Sequence, residues 1–182
     1  MKKQKIFFFL LLILLTSCSS KDHLIFNNTR INGNLKIFVN ELTKLGFIVS
    51  DSTKRNEIIL NGKFLNKDCK IDAFGTEKSN IAFKVIVDMP EESPDSLGTS
   101  FGKLQKLFTI IFGPGTSRYQ KYRLRESLLF NVPRLKREIR KGDYTRFITE
   151  LGEVIIEVQD GYISITYVDK LNDDIRKNEL EY

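Results

Sequence analysis

Between Ile81 and Asp88 the chain alternates. Ile81, Phe83, Val85 and Val87 fall on one side of a period-two strand, and Ala82, Lys84, Ile86 and Asp88 fall on the other. This stretch restricts the fold most tightly, because a strand with one apolar side must pair with neighbours and bury that side against a second layer. Phe47 to Asp51, Glu57 to Leu65 and Cys69 to Phe74 carry the same period, so these four segments together predict an antiparallel meander. Before it, Leu35, Phe38, Leu42 and Leu45 follow helical spacing, with Asn34 as N-cap and Gly46 as the left-handed exit, which predicts a helix over about 35–45.

MPEESPDS interrupts the pattern and reads as a connection. The same order then returns. Leu97, Phe101, Leu104, Phe108 and Ile111 mark a second amphipathic helix, closed by Gly113 and stopped by Pro114. DYTRFITE, GEVIIEVQ and YISITYVD follow as strands, the last two joined by Asp160-Gly161, a dipeptide suited to a type I′ hairpin. Superimposing the halves places Leu35, Phe38, Leu42 and Leu45 on Phe101, Leu104, Phe108 and Ile111 at an offset of 66, and IAFKVIVD on YISITYVD at an offset of 81. The predicted fold is therefore α+β, two tandem helix-plus-antiparallel-sheet units over 31–90 and 91–182, the second carrying a basic insertion at 116–142.

The first seventeen residues stand outside that fold. Lys2, Lys3 and Lys5 precede the apolar run Ile6–Leu15 and a small-residue close, the pattern of a secretory signal peptide. Ten apolar residues fall short of the roughly 20 that a membrane-spanning helix needs. Leu15-Thr16-Ser17-Cys18 resembles the lipobox of bacterial lipoproteins, in which an apolar residue and two small ones precede a cysteine. That resemblance implies processing before Cys18, a thioether-linked diacylglycerol on its sulfur and usually an acylated amine; two or three buried chains make such attachment effectively permanent. Residues 18–30 then read as the lipidated cysteine and a flexible tether.

Further resemblances follow from motifs spread along the mature chain. A lipobox, a helix ending in LGF, a GKF strand, a DC strand, a helix ending in FGPG and a terminal GYISITYVDKLN resemble a class of small lipid-anchored envelope proteins of Bacteroidota. The helix-then-strands order, twice, is similar to the tandem fold of the β-lactamase inhibitory protein and to small lipoproteins of outer-membrane assembly. These likenesses imply a cell-envelope location at the outer membrane, and they concern architecture rather than activity.

The chemistry-bearing residues point away from catalysis. His23 is the sole histidine, and as part of the tether it is a poor base for a Ser-His-Asp or Cys-His site. Cys69 shares one side of its strand with Ile71 and Ala73 and reads as a buried structural thiol. No Cys or His neighbours it at metal-ligand spacing, the acidic pairs Glu91-Glu92 and Asp173-Asp174 read as parts of solvated connections that lack a calcium-loop pattern, and GPGTS lacks the lysine of a phosphate loop. No cofactor and no metal are expected.

Charge is the remaining signal. Without its leader the chain holds 26 basic against 23 acidic residues, yet Arg118 to Arg146 alone holds ten basic residues against Glu126, Glu138 and Asp143. Asn131 and Pro133 predict the start of a short helix closed by Gly142, which crowds Arg134, Lys136, Arg137, Arg140 and Lys141 together. Those five are the candidate contacts to phospholipid or lipopolysaccharide headgroups, or to an acidic protein surface. Export to the envelope argues against nucleic acid as a partner. Asp51-Ser52-Thr53 and Asp95-Ser96-Leu97 resemble the O-glycosylation acceptor pattern of Bacteroidota, making Ser52, Thr53 and Ser96 candidate sugar sites. The expected function is that of a lipid-anchored, non-catalytic binding module. The alternatives are an envelope enzyme with an Asp, Glu, Tyr and Arg cleft, or a structural envelope subunit.

Overall fold

The computed structural model describes residues 22–118 and 139–181. The fold is α+β, and the described residues form three helices against one eight-stranded antiparallel sheet and a separate two-stranded hairpin. Helix α1 (Leu35–Lys44) starts at Asn34, whose side chain accepts a hydrogen bond from the Lys36 N–H at 3.0 Å, and it buries Leu35, Phe38, Val39 and Leu42. Strands β3 (Ile48–Asp51), β4 (Glu57–Phe64), β5 (Lys67–Gly75) and β6 (Ala82–Asp88) follow as the expected meander. Helix α2 (Pro94–Phe112) begins three residues earlier than its apolar spacing predicts, because Pro94 suits the first helical position after Ser93. It buries Leu97, Phe101, Leu104 and Phe108, and Gly113 ends it at φ +81°.

Strands β7 (Thr116–Ser117), β8 (Tyr144–Ile148), β9 (Gly152–Val158) and β10 (Ile163–Asp169) complete the sheet in the order β3-β4-β5-β6-β10-β9-β8-β7. The strand order of one half is thus the mirror of the other about the β6–β10 pair, where Val85 faces Tyr167 and Val87 faces Ile165. The two units share one core: buried side chains of α1, α2 and all the long strands form a single cluster. A small device recurs in both halves. A Cβ at Gly62 would meet the Phe47 ring at 2.2 Å, and one at Gly115 would meet the Phe147 ring at 2.8 Å.

Five departures from the sequence reading have identifiable causes. The textual offset of 81 sets Val85 on Thr166 and Val87 on Val168, which face away from the core; the inward residues of β10 are Ile163, Ile165 and Tyr167, and a one-residue slip exchanges the two sides of a strand. The helix offset of 66 sets buried Leu35, Phe38 and Leu42 on buried Phe101, Leu104 and Phe108, whereas the fourth pair, Leu45 and Ile111, is exposed in both halves instead of facing the core. Secondly, the tether does not extend to residue 30. Leu24, Phe26 and Ile31 are buried, and β1 (Ile25–Phe26) pairs with β2 (Thr29–Arg30) through Asn27 and Asn28, both at positive φ as a type I′ turn requires. Thirdly, the 116–142 insertion begins later, since Thr116 and Ser117 pair with Arg146 and Thr145.

Fourthly, the turn at Asp160-Gly161 has positive φ only at Gly161, so it is not type I′; that geometry occurs at Leu65 and Asn66 between β4 and β5. Finally, Asp173 and Asp174 belong to a helix, α3 (Lys170–Leu180). Only Asn172 of α3 is buried, so no apolar stripe announces it. Polar contacts hold it instead. The Asp169 carboxylate accepts from the Asn172 N–H at 3.0 Å as N-cap, the Asn172 amide donates to the carbonyls of Ile31 and Ala82, and Asp173 pairs with Lys177 at 2.7 Å.

Candidate interaction face

Because inward and outward side chains alternate along every strand, the sheet has a second face directed away from α1 and α2. The register writes that face out row by row. The middle row runs Asp51, Ile59, Asp72, Ile86, Thr166, Ile155, Arg146, Thr116, one residue from each of the eight strands. A parallel row runs Ile48, Asn61, Lys70, Asp88, Ser164, Glu157, Tyr144. Ile59, Ile86, Ile155 and Thr166 are half-buried, in contrast to the fully buried Leu60, Val85, Val87 and Ile165 of the core side.

Asp72 is the unusual member of this face. Between Ile59 and Ile86 it is only 9% exposed. Its Oδ2 accepts from the Lys70 ammonium at 2.9 Å, and its Oδ1 has no hydrogen-bond partner. The Asp72 carboxylate in turn holds the Lys70 pKa above the ordinary lysine value, against the effect of burial. Nearby, the Lys84 ammonium lies 4.1 Å from the centroid of the Phe74 ring, and burial followed by the neighbouring Arg176 charge lowers its pKa. Ser164 donates to Asp88 at 2.8 Å. Across one end of the sheet, from Ile48 of β3 to Tyr162 just before β10, lies a groove of about 890 Å³ also lined by Asn61, Lys63, Asp68 and Lys70 among others. The arrangement offers apolar contact ringed by paired charges of both signs.

His23 lies elsewhere and is better held than a tether residue would be. Its Nδ1 is 3.1 Å from Oδ1 of the fully buried Asp169, whose Oδ2 accepts from the Leu24 N–H at 2.7 Å. One carboxylate therefore joins the start of the folded chain to the N-terminus of α3. The ring borders a depression of about 400 Å³ lined by Asn34, Ser79, Ile81 and Asn172 among others. Ser79, the hydroxyl there, donates to Glu179.

The residues singled out in the sequence do not converge. Cys18, Arg134, Lys136 and Arg137 lie outside the described residues. Arg140 and Lys141 are exposed beside Gly142, which has φ +81°; Lys141 pairs with Asp160 of the β9–β10 turn, and the Arg140 N–H donates to the buried Asp143. Lys141 is thus a partly neutralised cation rather than a free one. Ser52 and Thr53 are exposed between β3 and β4, where the Thr53 N–H donates to Asp51 at 2.8 Å. Ser96 is exposed in the first turn of α2 with its hydroxyl bonded to Ser93. Cys69 is buried on the side of Ile71 and Ala73, and burial pushes its thiol up to about 11. Among the described residues no group of three His, Cys, Asp or Glu side chains is placed to hold a metal ion, and no helix is long and apolar enough to cross a membrane. Comparison with protein-family models, with curated proteins and with solved structures finds no match.

Proposed function

We propose that this chain is a lipid-anchored envelope protein that acts by binding a protein partner, with the outward sheet face as the docking surface and Cys18 as the membrane anchor. The observation that carries the reading is the middle row: eight strands contribute one residue each, and its apolar members are half-buried and keep part of their surface in solvent although a single core lies immediately behind them. A face of β-branched residues interrupted by Asp72 and Arg146 suits a partner with an apolar centre and mixed charges at its rim. Lipidation of Cys18 rests on the lipobox, and an outer-membrane location follows from the same resemblance. Arg140, with the basic residues before it in sequence, adds an anionic surface as a second contact.

The test places a photo-crosslinking residue at Ile86 or Thr166 of the full chain in its native envelope. A discrete protein adduct from both positions, lost when Ile155 is changed to Arg, is expected. Adducts equally abundant from Lys36 on the exposed side of α1, or none from the sheet, would overturn the reading.

A further inference from the structure

Helix α2 changes character along its solvent side. Ser96, Thr99, Lys103, Lys106, Leu107, Ile110 and Ile111 recur at three- and four-residue spacing and are all exposed, so they form one outward stripe opposite the buried Leu97, Phe101, Leu104 and Phe108. The first turns of that stripe are polar. The last turn is bare aliphatic surface: Ile110 is 83% exposed, Ile111 59% and Leu107 36%. Three neighbouring branched side chains at one helix end exceed the scattered single exposure that a soluble surface ordinarily carries.

Charge identifies what they meet. No Asp or Glu occurs in the sequence between Asp95 and Glu126, whereas Lys103 and Lys106 lie on the same stripe one turn back and Arg118 follows the helix. Neither lysine has a carboxylate within ion-pair distance among the described residues. Other exposed isoleucines lack this setting; Ile37 on α1 stands one turn from Glu41. Aliphatic side chains at a helix end, flanked by unpaired lysines and free of carboxylates, match the interfacial region of an anionic bilayer. There apolar groups enter at the headgroup boundary and cations meet the phosphates.

We propose that the C-terminal turn of α2 inserts Leu107, Ile110 and Ile111 into an anionic lipid surface while Lys103 and Lys106 hold the headgroups, fixing which side of the domain faces the membrane. The proposal rests on the reading of the protein as membrane-attached. It concerns residues separate from the sheet face, which this orientation leaves free for a partner.

The test uses the full chain bound to vesicles of phosphatidylglycerol and phosphatidylethanolamine, with a photo-crosslinking residue at position 110 or, as comparator, at position 37. Several-fold more phospholipid adduct from 110 than from 37 is expected, falling to the comparator level when Lys103 and Lys106 are both changed to Glu, and when phosphatidylcholine vesicles are used. Ile110→Ser with Ile111→Ser should leave the unfolding midpoint unchanged, which separates insertion from a packing role. Equal adducts from both positions, or an adduct from 110 to protein instead of lipid, would overturn the proposal. Sedimentation of the same samples separates the two readings: a chain that pellets with vesicles yet shows no lipid adduct at 110 is attached without insertion, and one that stays in the supernatant fails the attachment reading itself.

Discussion

The two halves share a strand order and differ in how they are tied down. Both chain ends secure the first half. Leu24 and Phe26 enter its core from the N-terminal side, and α3 returns from the C-terminal side to bond Ile31 and Ala82 through Asn172 and the β5–β6 turn through Glu179. Among the described residues the second half has no comparable strap; it is covered by the longer helix α2, and its additional sequence falls between β7 and β8. Duplicated architecture thus leaves one half to be closed by the termini and the other to carry the cationic sequence and the exposed helix end.

The comparison breaks first at the aromatic residues that meet at the seam. Phe26 packs on Phe64 and Tyr167 at centroid distances of 5.4 and 5.2 Å, while Phe108 packs on Phe147 and the same Tyr167 at 6.1 and 6.3 Å. Phe26→Ala and Phe108→Ala should each cost about 3–5 kcal/mol, because both leave a cavity in close-packed surroundings. Calorimetry should show one transition moving as a whole in both variants. Two separable transitions would mean that the β6–β10 pair does not couple the halves.

A smaller effect tests the strapping. Asp169→Ala removes the α3 N-cap and leaves the Leu24 N–H buried without its acceptor, at a cost of about 2–4 kcal/mol. Amide exchange should quicken at Leu24–Ile31 and along α3 before it does in β8 and β9; uniform acceleration would contradict the asymmetry.

The smallest effect depends on pH. Against a desolvation that opposes it, the Ser79 hydroxyl, the N–H groups of Lys78 and Ser79 and the Thr76 hydroxyl hold the Glu179 carboxyl at about 2. Folding therefore favours the ionised form. Its stabilising contribution is complete above the ordinary glutamate value near 4.5 and is lost as pH falls from there through 2. Glu179→Gln should lower the urea midpoint modestly at pH 7, with the gap from the parent chain narrowing below about pH 4.5. A gap independent of pH would show that the carboxylate charge is not what secures the turn.

Much of this arrangement was legible in the residues. Period-two spacing located the meander and put Cys69 with Ile71 and Ala73, and the Asn34 and Gly113 signals bounded the helices, since local rules govern each of these. What escaped depends on partners far away in sequence. His23 and Asp169 are 146 positions apart, and the burial of Asp72 comes from Ile59 and Ile86 on adjoining strands. The β1–β2 hairpin was hidden because two-residue strands carry no period, although Asn27-Asn28 between Ile25-Phe26 and Thr29-Arg30 is a turn signal. Helix α3 escaped for want of an apolar stripe, and its one sequence cue is Asp169 before the Asp173–Lys177 spacing.

The early start of the folded chain sets a length. With His23 and Leu24 held by Asp169, five peptide units separate Cys18 from the domain, and a chain spans at most about 3.3–3.6 Å per residue, so the reach is no more than roughly 18 Å. An anchor at Cys18 would then confine the domain to a shallow shell above the lipid, at an effective concentration on the order of millimolar toward the surface beneath it. Under that confinement a contact too weak to recruit a free protein is strong enough to choose an orientation. So anchored, the domain would meet only those partners that come within the same short distance of the membrane.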